Sequence, residues 1–187
     1  MKRLAVFASG EGSNFEAIVT ACRRGELDAE VVIMVCDRPT ANVIEKAKRY
    51  DIPAFVFLSK DYASKADYER DIVMQLDAAK VDLVCLAGYM RILSPVLLSA
   101  YNHRIINIHP SLLPAFRGAN AVEQAIEYGV KVFGITIHWA DEALDGGCII
   151  AQEAFAYDGN DAAEVHAIGQ KIEHRLYVET IKKLLNE

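Results

Sequence analysis

The sequence predicts an α/β fold, a doubly wound and mainly parallel seven-stranded sheet with helices on both faces. Two observations carry that expectation. Apolar runs of strand length alternate with helical stripes from one end of the chain to the other, the rhythm of β-α-β units. Several of those runs are apolar without alternation, as in strands covered on both faces.

The elements follow in order. Leu4–Ser9 is a continuous apolar run and reads as the first strand. Residues 14–24 place Phe15, Ile18, Val19 and Cys22 on one helical stripe, and Gly25 is its stop signal. Glu30–Cys36 is the second strand, Asn42–Tyr50 the second helix and Ala54–Leu58 the third strand. Ser64–Ala79 is a longer helix with Ser64 as its N-cap. Asp82–Ala87 is a fourth buried strand ended by Gly88, and Ser94-Pro95 is a good cap and first-turn pair for a short helix. Ile105–His109, Val132–Trp139 and Ile149–Phe155 are the last three strands; Ala121–Tyr128 and Asp161–Leu185 are the last two helices. With no linker-like or low-complexity stretch, 187 residues read as one domain over residues 1–187.

Composition excludes several classes. Hydrophobic residues make up 52%, which argues against disorder, and the formal net charge of −6 argues against a nucleic-acid or anionic-membrane surface. No apolar run approaches the roughly 18 residues that span a bilayer. The start Met1-Lys2-Arg3-Leu4 has the charge of a signal peptide, but its apolar stretch stops at Ser9-Gly10. Cys22, Cys36, Cys85 and Cys148 form no C-x-x-C pair and read as buried thiols in a reducing cytoplasm. The five histidines have no metal-ligand spacing, so no metal is expected.

In such sheets ligands sit beyond the carboxyl ends of the strands, so chemistry-bearing residues are expected in the loops just after them. The first loop is Ser9-Gly10-Glu11-Gly12-Ser13-Asn14. Glycines bring backbone close to a ligand, and the free N–H groups of the helix start favour an anion such as phosphate. A plain tight turn with Ser13 or Asn14 as N-cap is the alternative. A dinucleotide fingerprint also fits Gly10, Gly12 and a later acid, Asp37, but its third glycine position holds Phe15.

The fifth strand continues as Asn107-Ile108-His109-Pro110-Ser111-Leu112-Leu113-Pro114. Alternation puts Asn107 and His109 on one face, about 7 Å apart. An amide donor beside a titratable imidazole suits acyl transfer, the amide binding an oxyanion and the imidazole supplying charge or a proton. A capping histidine beside a proline turn is the alternative. Asp141-Glu142-Ala143-Leu144-Asp145-Gly146-Gly147 follows the sixth strand, and Asp145 beside the two glycines is a carboxylate able to orient or charge-pair His109. After the fourth strand, Met90, Ile92 and Leu93 offer walls for a flat heterocycle, with Arg91 expected at the surface.

Taken together, Gly10–Asn14, Leu86–Leu93, Asn107–Pro114, Leu144–Gly147 and Glu173–Tyr177 resemble the folate-dependent formyltransferase family over essentially the whole chain. Asn-x-His-Pro-Ser with Leu-Asp-Gly-Gly is specific to that family, and the glycine loop with Glu173 narrows it to the glycinamide ribonucleotide transformylases. The resemblance implies metal-free transfer of a formyl group from 10-formyltetrahydrofolate to the amine of glycinamide ribonucleotide. Asn107, His109 and Asp145 would carry the chemistry. Gly12, Ser13 and Asn14 would hold the phosphate, with Gln170, Lys171, Ile172 and Glu173 nearby and Glu173 reaching the ribose. Met90, Arg91, Ile92, Leu93, Asn107 and the segment Asp141, Glu142, Ala143, Leu144, Asp145 would line the pterin pocket, and Lys65 would meet the folate tail. It thus implies a phosphate-binding half over about residues 1–100, a folate and catalytic half over about 101–187, and small-molecule partners, with room for a homodimer. The chain departs from many members at Ala115-Phe116-Arg117-Gly118-Ala119-Asn120 and at Val178, where proline is common.

The rivals are told apart by simple features. A transfer-RNA formyltransferase calls for a further domain and a basic face, a formyltetrahydrofolate deformylase for a preceding regulatory domain, and a sugar-nucleotide formyltransferase does not require this glycine loop. A nucleotide-binding module without activity requires no Asn107, His109 and Asp145 together, and an NAD enzyme is disfavoured by Phe15.

Overall fold

The computed structural model describes residues 1–186. The unbroken apolar run Leu4-Ala5-Val6-Phe7 fixes β1 (Lys2–Phe7) at the centre of the sheet, because all four side chains are fully buried, alternately on the two faces. In chain order there follow α1 (Ser13–Arg23), β2 (Ala29–Cys36), α2 (Val43–Arg49), β3 (Ala54–Val56), α3 (Lys65–Ala78), β4 (Leu83–Leu86), α4 (Pro95–Ala100) and β5 (Ile105–His109). The chain continues with α5 (Ala121–Tyr128), β6 (Val132–Trp139), β7 (Ile149–Ala156) and α6 (Ala162–Leu185). The seven strands lie in the order β3-β2-β1-β4-β5-β6-β7. The first five in that order are parallel; β6 runs antiparallel to β5, and β7 antiparallel to β6.

Alternation sorts the helices onto two faces. Leu4, Val6, Ile106, Ile108, Ile135 and Ile137 face α1, α2 and α6, where Phe15, Ile18, Val43 and Tyr177 close the core. Ala5, Phe7, Val84, Leu86 and Ile105 face α3 and α4, through Ile72, Leu76 and Leu97. Tyr177 is fully buried, and its hydroxyl hydrogen faces the carbonyls of Leu86 (3.0 Å) and Ile106 (3.2 Å), tying α6 to β4 and β5.

The caps are local chemistry. Ser64 accepts the Asp67 N–H at 3.2 Å and starts α3; Ser94 accepts the Val96 N–H at 3.3 Å, with Pro95 in the first turn of α4. At α1 the expected cap is not Ser13 or Asn14. Gly12 takes the cap position in the left-handed region (φ 70°), and no side chain caps the helix. A Cβ on Gly12 would lie 2.5 Å from Val43 Cγ2, so both the conformation and the contact with α2 require glycine.

Two further sequence expectations change. The third strand stops at Val56 rather than Leu58. The thiols are not uniformly buried: Cys36 and Cys85 are, Cys22 is partly so and Cys148 is exposed. No helix of the described residues is long and apolar enough to cross a membrane.

Candidate active site

The antiparallel pair β5–β6 builds the floor of the site. Asn107 lies directly across from His138, and His109 directly across from Thr136. Residues opposite one another share a face. Four polar side chains therefore line one face of two strands whose other face is isoleucine: Ile106, Ile108, Ile135 and Ile137. His109, Thr136 and His138 are buried, so each needs polar partners within the protein.

Asp145 supplies the roof. Because β6 runs against β5, Trp139 sits opposite Ile106, and the loop after β6 leaves at the amino end of β5. The expectation that every functional loop springs from the carboxyl edge fails here. The loop instead folds back over the β5–β6 face. Asp145 sits at φ 50°, in the left-handed region that Asp tolerates better than most residues. Gly147 lets the loop close: a Cβ there would fall 1.7 Å from the Trp139 carbonyl oxygen, while Trp139 N–H bonds the Cys148 carbonyl at 2.9 Å.

This path brings Asn107, His109 and Asp145 together. Asp145 Oδ2 is 3.4 Å from His109 Nδ1 and accepts the Gly118 N–H at 2.8 Å. Asp145 Oδ1 accepts from Asn107 Nδ2 at 3.3 Å and lies 3.6 Å from His138 Nε2. Burial alone would raise the Asp145 pKa. The imidazole of His138, the Gly118 N–H and the imidazole charge of His109 outweigh it and hold the carboxyl below the usual carboxylate range.

Partners fix the hydrogens. His109 Nε2 lies 2.9 Å from the Phe116 carbonyl, which only accepts, so Nε2 carries a hydrogen. Nδ1 faces the Asp145 carboxylate. His138 Nδ1 lies 2.8 Å from the Trp139 carbonyl and carries the hydrogen there. Its Nε2 lies 3.1 Å from Asn107 Nδ2 and 3.6 Å from Asp145 Oδ1. Asn107 Nδ2 thus sits between His138 and Asp145. His138 is the residue that sequence reasoning missed. Its signal is the alternation Ile135-Thr136-Ile137-His138 inside an otherwise apolar strand.

Next to this cluster lies the crevice between β1 and β4, where the strand order reverses. The glycine loop lines it from β1. Asn14 is buried and donates from Nδ2 to Glu173 Oε2 at 2.8 Å, while its Oδ1 has no hydrogen-bond partner among the described residues. The loop and α6 therefore meet, as one ribonucleotide site would need. Lys171 borders a groove between α1 and α6 together with Ser13. Gln170 is exposed on α6, with no side-chain partner among the described residues. Ile172 does not belong to that surface. It packs on the core, because four consecutive helical residues point in different directions.

The loop after β4 forms the other wall. Its Arg91 is not a free surface group. Arg91 Nε donates to the buried Asp37 at 2.7 Å, and its guanidinium lies 5.8 Å from the Tyr68 ring centroid. Ser9 donates its hydroxyl to the other Asp37 oxygen and accepts the Met90 N–H at 2.9 Å. Asp37 thus belongs to the loop's anchor. Leu93 faces the core against α3 and α4, so the side chains of Arg91 and Leu93 are both engaged within the protein. Met90 (66%), Ile92 (53%) and Leu144 (49%) keep large apolar side chains exposed at the rim. Lys65 stands at the start of α3, one turn before Tyr68. Asp141 closes its own turn by accepting the Ala143 N–H at 2.8 Å; Asp141, Glu142 and Ala143 are exposed.

This sheet, reversing at β1/β4, carries an Asn–His–Asp cluster under a folded-back Leu-Asp-Gly-Gly loop. Residues 2–181 match the family model of the formyl transferases, and the chain belongs to that family. Within it, the chain is 52% identical over 186 residues to the phosphoribosylglycinamide formyltransferase of Bacillus subtilis, covering 99% of this chain and 95% of that one. It is 39% identical over 176 residues (94% of this chain) to the human trifunctional purine biosynthetic protein adenosine-3, of which it spans 17%. The crystal structure of phosphoribosylglycinamide formyltransferase from Bacillus halodurans superposes with a TM-score of 0.96 at 49% identity, covering 100% of this chain and 96% of that one. Glycinamide ribonucleotide transformylase 1 from Geobacillus kaustophilus gives 0.96 at 50% identity, with 99% of each chain covered.

Proposed function

We propose that the protein transfers the formyl group of 10-formyltetrahydrofolate to the amine of glycinamide ribonucleotide, releasing tetrahydrofolate and formylglycinamide ribonucleotide, in purine synthesis in the cytoplasm. The observation that carries this reading is the Asp145 carboxylate, within 3.4 Å of both Asn107 and His109.

The chemistry divides among these groups. The substrate amine attacks the formyl carbon as its free base, and the carbonyl oxygen becomes an anion. The His109 cation and an N–H of Asn107 stabilise that anion. Asn107 does so by turning from Asp145, the longer of its two contacts. Asp145, kept ionised, takes the proton the attacking nitrogen must lose, directly or through one water. The bond from carbon to the folate nitrogen then breaks, and that nitrogen gains a proton. His138 holds the Asn107 amide in place.

Binding follows the crevice. The N–H groups of Gly12, Ser13 and Asn14 hold the phosphate at the uncapped start of α1. Glu173, already meeting Asn14, takes the ribose hydroxyls, with Gln170 and Lys171 beside it. Met90, Ile92 and Leu144 cover the pterin ring, the backbone of Arg91 and Leu93 meets its polar edge, and residues 141–143 carry the loop over it. Lys65 meets the anionic folate tail.

The test is an assay of purified protein with 10-formyltetrahydrofolate, with and without glycinamide ribonucleotide. The expected result is tetrahydrofolate release in equal amount to formylated ribonucleotide, and none without the amine. Release with water alone would identify a deformylase and overturn the proposal.

A further inference from the structure

We propose that Thr136, together with Gln152, is a positioning residue that sets the His109–Asp145 pair through the loop from Pro110 to Gly118. The inference rests on the reading above, in which His109 and Asp145 carry the charge and proton chemistry.

Thr136 is fully buried in an apolar strand, where valine would fit the space and the β-propensity equally well. Its hydroxyl uses its whole hydrogen-bonding capacity. It donates to the Ser111 carbonyl at 2.7 Å, and it accepts the Leu113 N–H at 3.1 Å and a Gln152 Nε2 hydrogen at 2.9 Å. Gln152 gives its other amide hydrogen to the Leu113 carbonyl at 3.0 Å. These bonds touch nothing but the loop and each other. Register explains the arrangement: His109 lies opposite Thr136, and Thr136 opposite Gln152, so the three form a row across β5, β6 and β7. The loop leaving His109 is therefore stitched to the strand next to His109 at its second and fourth residues.

What the loop delivers lies further along. Ser111 donates its hydroxyl to the Ala115 carbonyl at 2.6 Å, which closes the turn. Phe116 then presents its carbonyl to His109 Nε2 at 2.9 Å, from a left-handed conformation (φ 53°) that a non-glycine residue adopts only when its surroundings impose it. Gly118 delivers its N–H to Asp145 Oδ2 at 2.8 Å. One loop thus orients the imidazole from one side and the carboxylate from the other, and Thr136 with Gln152 fixes where that loop starts. Removing the hydroxyl leaves the Ser111 carbonyl and the Leu113 N–H without their partner in a dry place, and the loop must shift to find others.

The test compares Thr136→Val with Thr136→Ser in full steady-state kinetics, alongside His109→Ala and the NMR signal of the His109 Nε2 proton. Thr136→Val is expected to lower kcat by about tenfold to a hundredfold through misplacement of the pair, with both KM values within about twofold. The His109 Nε2 proton should exchange faster and move, as its bond to Phe116 loosens. Thr136→Ser, which keeps the hydroxyl, should restore both readouts. If Thr136→Val does not fold, Gln152→Met is measured in the same way and carries the same expectation. An unchanged kcat and an unchanged His109 signal in the folded variant overturn the proposal, provided His109→Ala loses activity. Near-normal turnover of His109→Ala overturns the catalytic reading and, with it, this inference.

Discussion

Asp145 is a buried carboxylate with a backbone N–H on one oxygen and an amide on the other, and this has a consequence for pH. Its carboxyl titrates below the usual range in the folded protein and near about 3.9 in the unfolded chain. The folded state therefore binds the proton more weakly. Ionised Asp145 stabilises the fold at every pH above that unfolded value, and the contribution disappears as pH falls through the folded one. Urea denaturation of the wild type and Asp145→Asn should differ at pH 5, and the gap should close below about pH 4. A gap that closes between pH 5 and pH 7 would mean that another group provides the effect. At this scale much of the site was legible. Asn107, His109 and Asp145 stood out because each breaks an apolar run or sits beside paired glycines. His138 and Thr136 did not, because a single polar residue inside a strand gains meaning only when the register of the neighbouring strand is known. Ile172 was misplaced for the opposite reason, since a motif match covers consecutive residues whereas a helix spreads them around its axis.

The elements that present these residues depend on polar anchors as much as on apolar packing. Glu69 of α3 is buried and caps α4 from outside: it accepts the Ser94 N–H at 2.8 Å, the Leu97 N–H at 3.2 Å and the Ser94 hydroxyl. Hydrogen bonds to a charged group contribute about 1.5–3 kcal/mol each, not additively, so Glu69→Ala should destabilise the fold by about 3 kcal/mol. Chemical denaturation measures this directly, and a loss under about 1 kcal/mol would show that water replaces the carboxylate. The strands and helices themselves were mostly visible in the sequence to within a residue or two, because strand-length apolar runs and 3.6-residue stripes arise from burial. The direction of β6 was not visible. Val132–Trp139 is apolar like the parallel strands, and alternation does not encode which way a strand runs. That direction decides the geometry of the site, since it sends the Leu-Asp-Gly-Gly loop out at one end of β5 and back across its face.

At the scale of the molecule, a chain of net charge −6 is expected to bind two anionic substrates. Long-range attraction would not supply that affinity; under the proposed function local donors would, at the uncapped start of α1 and in the loops beyond β1 and β4. The sheet reverses between those two strands, and the polar row on β5–β6 lies one strand away, so under the proposed function one crevice would hold both substrates against one carboxylate. The most direct measurement of this account is the single-turnover rate of formyl transfer in Asp145→Asn, with both substrates saturating. Asn keeps the shape of the side chain and accepts the left-handed backbone at position 145. The predicted result is substrate binding like the wild type and a turnover slower by about a hundredfold or more. Turnover within about threefold of the wild type would contradict the account, because it would leave the attacking amine with no need of the only carboxylate placed between Asn107 and His109 among the described residues.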